Sequence, residues 1–285
     1  MTMTLTRPIA CVSLPGGATH VATLAGAACA LGSMINVPGW SGVSAGALVA
    51  IAKAFNVDDV EIKRAMYHLL RDNRMLDVAP FELGDLGICS WQMIPTAIDE
   101  LIGKGARMGD AHTALVVCAT DLSTGKPVHF SRKHTPHALV REVARASSAF
   151  PFVAPQVKIP SHIDDERLYT DGGVTDNTTD AVWDAWSCPR VAVRLTGGPD
   201  SIPVHWGDPL GQAIAIVRAL QWGSKDLKSQ RADGIVIDVD RIGDGLDFSL
   251  SPTQIDTRWS TGYDAVVARK SAIVALSRAG EVFGG

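Results

Sequence analysis

A serine flanked by glycines, Gly42-Val43-Ser44-Ala45-Gly46, is the group in this chain best suited to covalent chemistry. The G-x-S-x-G pattern sets a serine on a sharp turn between a strand and a helix, with its hydroxyl exposed. Gly42 and Gly46 leave the space such a turn needs. A serine hydroxyl is a weak nucleophile. It needs a base for its proton and donors for the oxyanion that follows attack. The backbone N–H of Ala45, at the start of the next helix, is one donor, and the positive end of that helix adds to it. A second turn, Pro15-Gly16-Gly17-Ala18, follows the first apolar stretch and offers the N–H groups of Gly16, Gly17 and Ala18. Asp171, followed by Gly172 and Gly173, is the candidate base. Taken alone, that triplet reads equally well as a plain turn. In the catalytic reading a partly desolvated carboxylate takes the serine proton directly.

The surrounding pattern supplies elements to position these groups. Residues 8–14 read as a buried strand, 19–31 as an alanine-rich helix, 34–40 as a second strand and 45–55 as the helix behind the serine. Strand, turn, helix, strand, turn, helix argues for a mostly parallel sheet with helices on its faces. Adjacent parallel strands would bring both glycine turns to one sheet edge, where ligands bind in such folds. Further along, 58–70, 91–103 and 139–148 read as helices, 113–121 as the clearest core strand, and 126–131 as its hairpin partner. Residues 167–170 read as a short strand leading into Asp171, 180–186 as a short helix, and 190–196 and 234–239 as strands. Residues 210–231 and 263–283 read as long helices.

These features together resemble the patatin-like phospholipase family. The resemblance rests on the glycine turn after the first strand, the early Gly42-Val43-Ser44-Ala45-Gly46-Ala47 elbow and the distant Asp171-Gly172-Gly173-Val174-Thr175-Asp176-Asn177. It also rests on Arg145-Ala146-Ser147-Ser148-Ala149-Phe150-Pro151, similar to the segment that leads to a proline before the family's aspartate. It spans about residues 9–196. It implies an α/β fold, a patatin-like three-layer α/β/α sandwich with a mostly parallel central sheet, and a single domain over 1–285 that 197–285 completes. It also implies a Ser44–Asp171 dyad with no histidine, hydrolysis of phospholipid or other lipid esters through an acyl-serine, and no metal or other cofactor. Gly16 and Gly17 would hold the oxyanion. The turn departs from the family pattern of three glycines, any residue, a basic residue and glycine. Here Pro15 replaces the first glycine and has no N–H to donate, Thr19 stands where the basic residue is expected, and His20 replaces the last glycine. His20 then packs or caps at the start of the first helix, with a role as donor or base as the alternative.

Two other readings stay open. An α/β-hydrolase triad would call for a late histidine such as His205, though the chain has few strands ahead of its elbow. A non-catalytic or partner-activated protein of the same fold would keep the elbow without the reaction.

Composition narrows the partners. A net charge of −4 gives no basic field for nucleic acid or anionic headgroups. With 46% hydrophobic and 20% charged residues, a large core can form. The five cysteines, odd in number and scattered among apolar residues, read as buried free thiols. None of the histidines shows a ligand spacing, so no metal is expected. The expected partner is a lipid ester, met by peripheral membrane contact. Trp206 is the candidate for lipid contact, residues 66–93 read as a lid or as core, and the C-terminal helices offer a homodimer face. No signal peptide or spanning helix is recognisable, and a cytoplasmic location is the expectation.

Overall fold

The structure is a computed structural model that describes residues 7–71, 89–159, 167–197, 208, 211–217 and 234–282. Strands β1 (Cys11–Leu14) and β2 (Gly39–Val43) are buried along their whole length. They run parallel to each other, as central strands covered on both faces do. Between them lie a 3₁₀ turn, Ala18–His20, and helix α1 (Val21–Met34). Helices α2 (Ala45–Ala54), α3 (Asp59–Leu70) and α4 (Met93–Ile102) follow. Next come β3 (Ala114–Asp121), β4 (Lys126–Ser131), α5 (Val140–Ser147), β5 (Val157–Lys158) and β6 (Leu168–Asp171). The chain ends with β7 (Arg190–Thr196), β8 (Gly234–Asp240), α6 (Pro252–Ala268) and α7 (Lys270–Val282).

The strands form one sheet in the order β5-β6-β3-β2-β1-β7-β8, with β4 also paired to β3. Pairs among β3, β2, β1, β7 and β8 are parallel, and β4, β5 and β6 make antiparallel pairs. Side chains alternate between faces along a strand. Val12, Leu14, Trp40, Leu115 and Val117 join the helices in the main apolar core. Ser13 and Ser41 lie on the other face, where their hydroxyls meet at 2.9 Å and the indole N–H of buried Trp183 donates to Ser13 at 3.1 Å. Trp183 sits on a 3₁₀ turn, Asp180–Trp183, that covers this face. Helix α1 is buried from Val21 to Leu31 because α2 and α6 both pack along it. An all-apolar helix is stable only in such a position.

The first strand, the helices around the elbow and the 126–131 and 190–196 strands lie where the sequence pattern put them, within a few residues, but the second strand, read over 34–40, runs from Gly39 to Val43 because α1 continues to Met34. The closing helix differs. It begins at Pro252 and breaks at Arg269, giving two helices. The long helix read over 210–231 is described only at 211–217, which is helical. Most of the 66–93 segment, Trp206 and His205 lie outside the described residues. All five cysteines are free thiols, and all but Cys188 are buried. Among the described residues, no helix is long and apolar enough to cross a membrane.

Candidate active site

Strand register brings Ser44 and Asp171 together. Both β2 and β4 pair with β3 at Val116 to Cys118, so they occupy opposite edges of it. Both β4 and β6 pair with β3 at Ala119 to Asp121, so β6 shares its edge with β2. The two strands therefore meet end to end. Val43 is opposite Cys118, and Asp171 is opposite the next residue, Ala119. The residue after Val43 is Ser44.

Ser44 forms a tight, strained elbow, with φ 52° and ψ −122°. Non-glycine residues seldom adopt positive φ, and such strain persists only when neighbours enforce it. Here the constraint is contact. A side chain at Gly42 would strike the Gly46 carbonyl, and one at Gly46 would strike the carbonyls of Leu14 and Pro15. The Ser147 hydroxyl accepts the N–H of Ser44 at 2.9 Å and donates to the Cys118 carbonyl at 2.6 Å. Thus α5 pins the elbow to β3.

Asp171 is 1% exposed. Its Oδ1 accepts the Gly173 N–H at 2.7 Å. Burial pushes its pKa up to about 6, opposed by hydrogen bonds from the Ser44 hydroxyl and the Gly173 N–H. A carboxylate poised near neutrality beside a hydroxyl has the pKa a general base needs.

The turn after β1 lies beside the elbow because Leu14 is opposite Gly42. The N–H of Gly16 donates to the Asn177 side-chain Oδ1 at 3.1 Å. The N–H groups of Gly17, Ala18 and Ala45 have no acceptor among the described residues, and all three residues line the pocket. Ala18 has φ 47°, a second forced residue beside the elbow. Gly172 and Gly173 form a 3₁₀ turn after β6, and Asn177 follows it. His20 is buried at the start of α1 and lines the pocket, and its side chain makes no capping bond.

Arg258, on α6, is a partner the sequence pattern did not reveal. It is 3% exposed, and its guanidinium donates to the Thr19 hydroxyl at 2.6 Å and to the Asp244 carbonyl at 3.0 Å. Thr19 in turn donates through its N–H and its hydroxyl to the Gly245 carbonyl, at 3.0 and 2.8 Å. A cation absent from position 19 itself thus arrives from α6 and clamps the turn to the 243–247 loop. Burial lowers the Arg258 pKa, opposed by the charges of Asp247 and Asp244. Arg258→Met is expected to lower the unfolding free energy by about 3 kcal/mol, since the buried Thr19 hydroxyl and the part-buried Asp244 carbonyl lose a charged donor. Urea unfolding reads this, and an unchanged midpoint would show that the clamp contributes nothing.

These groups open onto a pocket of about 1090 Å³, including space open to solvent. Leu48, Leu69, Ile94, Val153, Leu246 and Phe248 give it an apolar wall, with Ser44 and Asp171 on the same lining.

An α/β sandwich with a serine elbow over an apolar pocket is an architecture of serine hydrolases. The model for the patatin-like phospholipase family matches residues 12–182, and the chain belongs to that family. No curated protein matches the sequence. Solved structures share the fold. VipD from Legionella pneumophila has a TM-score of 0.56 at 16% identity, over 94% of this chain and 67% of VipD. The type III effector protein ExoU, from Pseudomonas aeruginosa, has a TM-score of 0.50 at 13% identity, over 94% of this chain and 54% of ExoU. The chain therefore spans about two thirds of the first and about half of the second. At these identities the likeness is one of fold.

Proposed function

We propose that the protein is a serine acyl hydrolase that cleaves ester bonds of phospholipids or related lipids, of the phospholipase A or lysophospholipase type. The observation that carries this reading is the abutment of β2 and β6 on one edge of β3, which sets the Ser44 hydroxyl against the buried Asp171 carboxylate. Ser44 Oγ attacks the acyl carbonyl carbon while Asp171 takes its proton. The N–H groups of Gly17, Ala18 and Ala45, with the positive end of α2, hold the oxyanion. As the intermediate collapses, the bond to the lipid alkoxide breaks and Asp171 returns the proton to it. Asp171 then deprotonates a water that cleaves the acyl-serine ester, releasing fatty acid and restoring Ser44. The apolar wall of Leu48, Ile94 and Phe248 takes the acyl chain.

The test is incubation with a fluorophosphonate probe, mapped by peptide mass spectrometry, together with fatty-acid release from phosphatidylcholine vesicles and from a short-chain ester. The expected result is modification at Ser44 and release of fatty acid that prior labelling blocks. A protein that releases no fatty acid and leaves Ser44 unlabelled would overturn the reading.

A further inference from the structure

We propose that Cys118, His129 and Asp176 form a zinc site, on the sheet face away from the main helix layer. Cys118 and His129 are directly opposed residues of the β3–β4 antiparallel pair, so their side chains leave the same face of the sheet. Asp176 is brought over that face by the 3₁₀ turn Gly172–Val174 that follows β6. One ligand atom from each residue (the Cys118 Sγ, a His129 ring nitrogen and an Asp176 carboxylate oxygen) lies within 4.8 Å of the other two. The three are eleven and forty-seven positions apart in sequence, which is why no ligand spacing is visible there.

Between His129 and Asp176 the geometry favours a metal over a hydrogen bond, and the Cys118 thiol makes a weak bond, to the Ala119 carbonyl at 3.8 Å, that ionisation on metal binding would release. Asp176 Oδ1 belongs to its own turn, near the N–H and hydroxyl of Thr178 at 3.3 Å. Asp176 Oδ2 faces His129 Nε2 at 3.8 Å, too far for a hydrogen bond. That Nε2 is buried and has no hydrogen-bond partner, although the His129 side chain is 37% exposed. Two ligands of one tetrahedral zinc lie about 3.4 Å apart at ordinary zinc–nitrogen and zinc–oxygen lengths. The His129–Asp176 pair therefore needs to close by only a few tenths of an ångström, and the Cys118 Sγ, within 4.8 Å of both, completes the site by a side-chain shift of up to about 1 Å. Cys118 and Asp176 are 0% and 7% exposed, which shields the site, while the partly exposed His129 leaves a path for the ion and a fourth ligand from solvent.

The donor set selects the ion. A thiolate with an imidazole suits zinc and disfavours magnesium and calcium, which take oxygen. On binding, the Cys118 thiol gives its proton to solvent. The dication then meets one thiolate and one carboxylate, leaving a buried site with no net charge. The metal would tie the β3–β4 hairpin to the segment that carries Asp171 and Asn177. Binding to the folded state alone raises stability with zinc concentration.

The full chain is stripped with a chelator, given one equivalent of zinc, desalted and assayed for metal, with cobalt used in parallel as a spectroscopic probe. The wild type is expected to retain about one zinc per chain, to show a thiolate-to-cobalt charge-transfer absorption, and to melt at a higher temperature with zinc. His129→Ala, on a partly exposed side chain of β4, is expected to keep its circular dichroism and lose zinc affinity at least about tenfold. Cys118→Ser is expected to lose the charge-transfer absorption, and His68→Ala to change nothing. Folded wild type that retains no zinc, or a cobalt–thiolate absorption that survives in His129→Ala, would overturn the site. None of these measurements depends on ester hydrolysis.

Discussion

Replacing Ser44 by alanine is expected to lower kcat by about 10⁶-fold, the size of loss seen when the nucleophile of a serine hydrolase is removed. The loss is expected without damage to the fold. The elbow's backbone bond runs from the Ser44 N–H to the Ser147 hydroxyl, and alanine keeps that N–H. The positive φ of 52° is a strain that serine already bears, and a methyl side chain adds no atom to it. Only the hydroxyl facing Asp171 disappears. The carboxylate then loses one of the two hydrogen bonds that hold its pKa down, so it stays protonated to higher pH. Fatty-acid release, with thermal melting by circular dichroism as the control, measures both parts. Activity within tenfold of wild type in a folded variant would assign the attacking group elsewhere.

The elbow serine was legible because its turn makes local demands. Gly42 and Gly46 are required by carbonyls within a few residues of them or on the adjacent strand, and the apolar runs on either side signal strand and helix. Its own neighbours made Asp171 legible as a carboxylate in a turn, and only the family resemblance paired it with Ser44. Its place beside Ser44 depends on two strands sharing one edge of β3, and a period of two along each strand says nothing about that register. Ser147, Asn177 and Arg258 were less legible still. Each makes a side-chain hydrogen bond to a residue more than a hundred positions away. The partner of the Gly16 N–H was illegible for the same reason, since its acceptor, Asn177, is 161 positions away in the chain. The start of α6 is different. Ser251 caps it, Pro252 takes the first position and Gln254 closes a capping box, all signals present in the sequence. Placing the closing helix at Tyr263 followed apolar content and passed over those start residues.

Asp171→Asn is expected to separate activity from stability, lowering kcat by up to about 10⁴-fold while making the folded protein more stable at neutral pH. The cause is the cost of a buried charge. In the unfolded chain this aspartate titrates near the ordinary value of 3.8, and in the folded protein burial holds it at about 6. Between those values the folded state keeps a proton that the unfolded state has lost, so wild-type stability falls as pH rises from about 4 to about 6. Above that window both states are ionised and the penalty is constant, about 3 kcal/mol for a gap of roughly two pH units. Asparagine carries no charge to bury, and its carbonyl oxygen can still accept the Gly173 N–H that Asp171 accepts at 2.7 Å. The variant's stability advantage over wild type should therefore be near zero at pH 4, grow through pH 6 and level off by pH 8. Urea unfolding of both proteins across this range measures it. In wild type the same titration places the acidic limb of kcat/KM near pH 6, because only ionised Asp171 can take the serine proton. A variant no more stable than wild type at pH 8 would mean that Asp171 is not a desolvated base. A limb well below pH 6 would lead to the same conclusion by a route that needs no substitution.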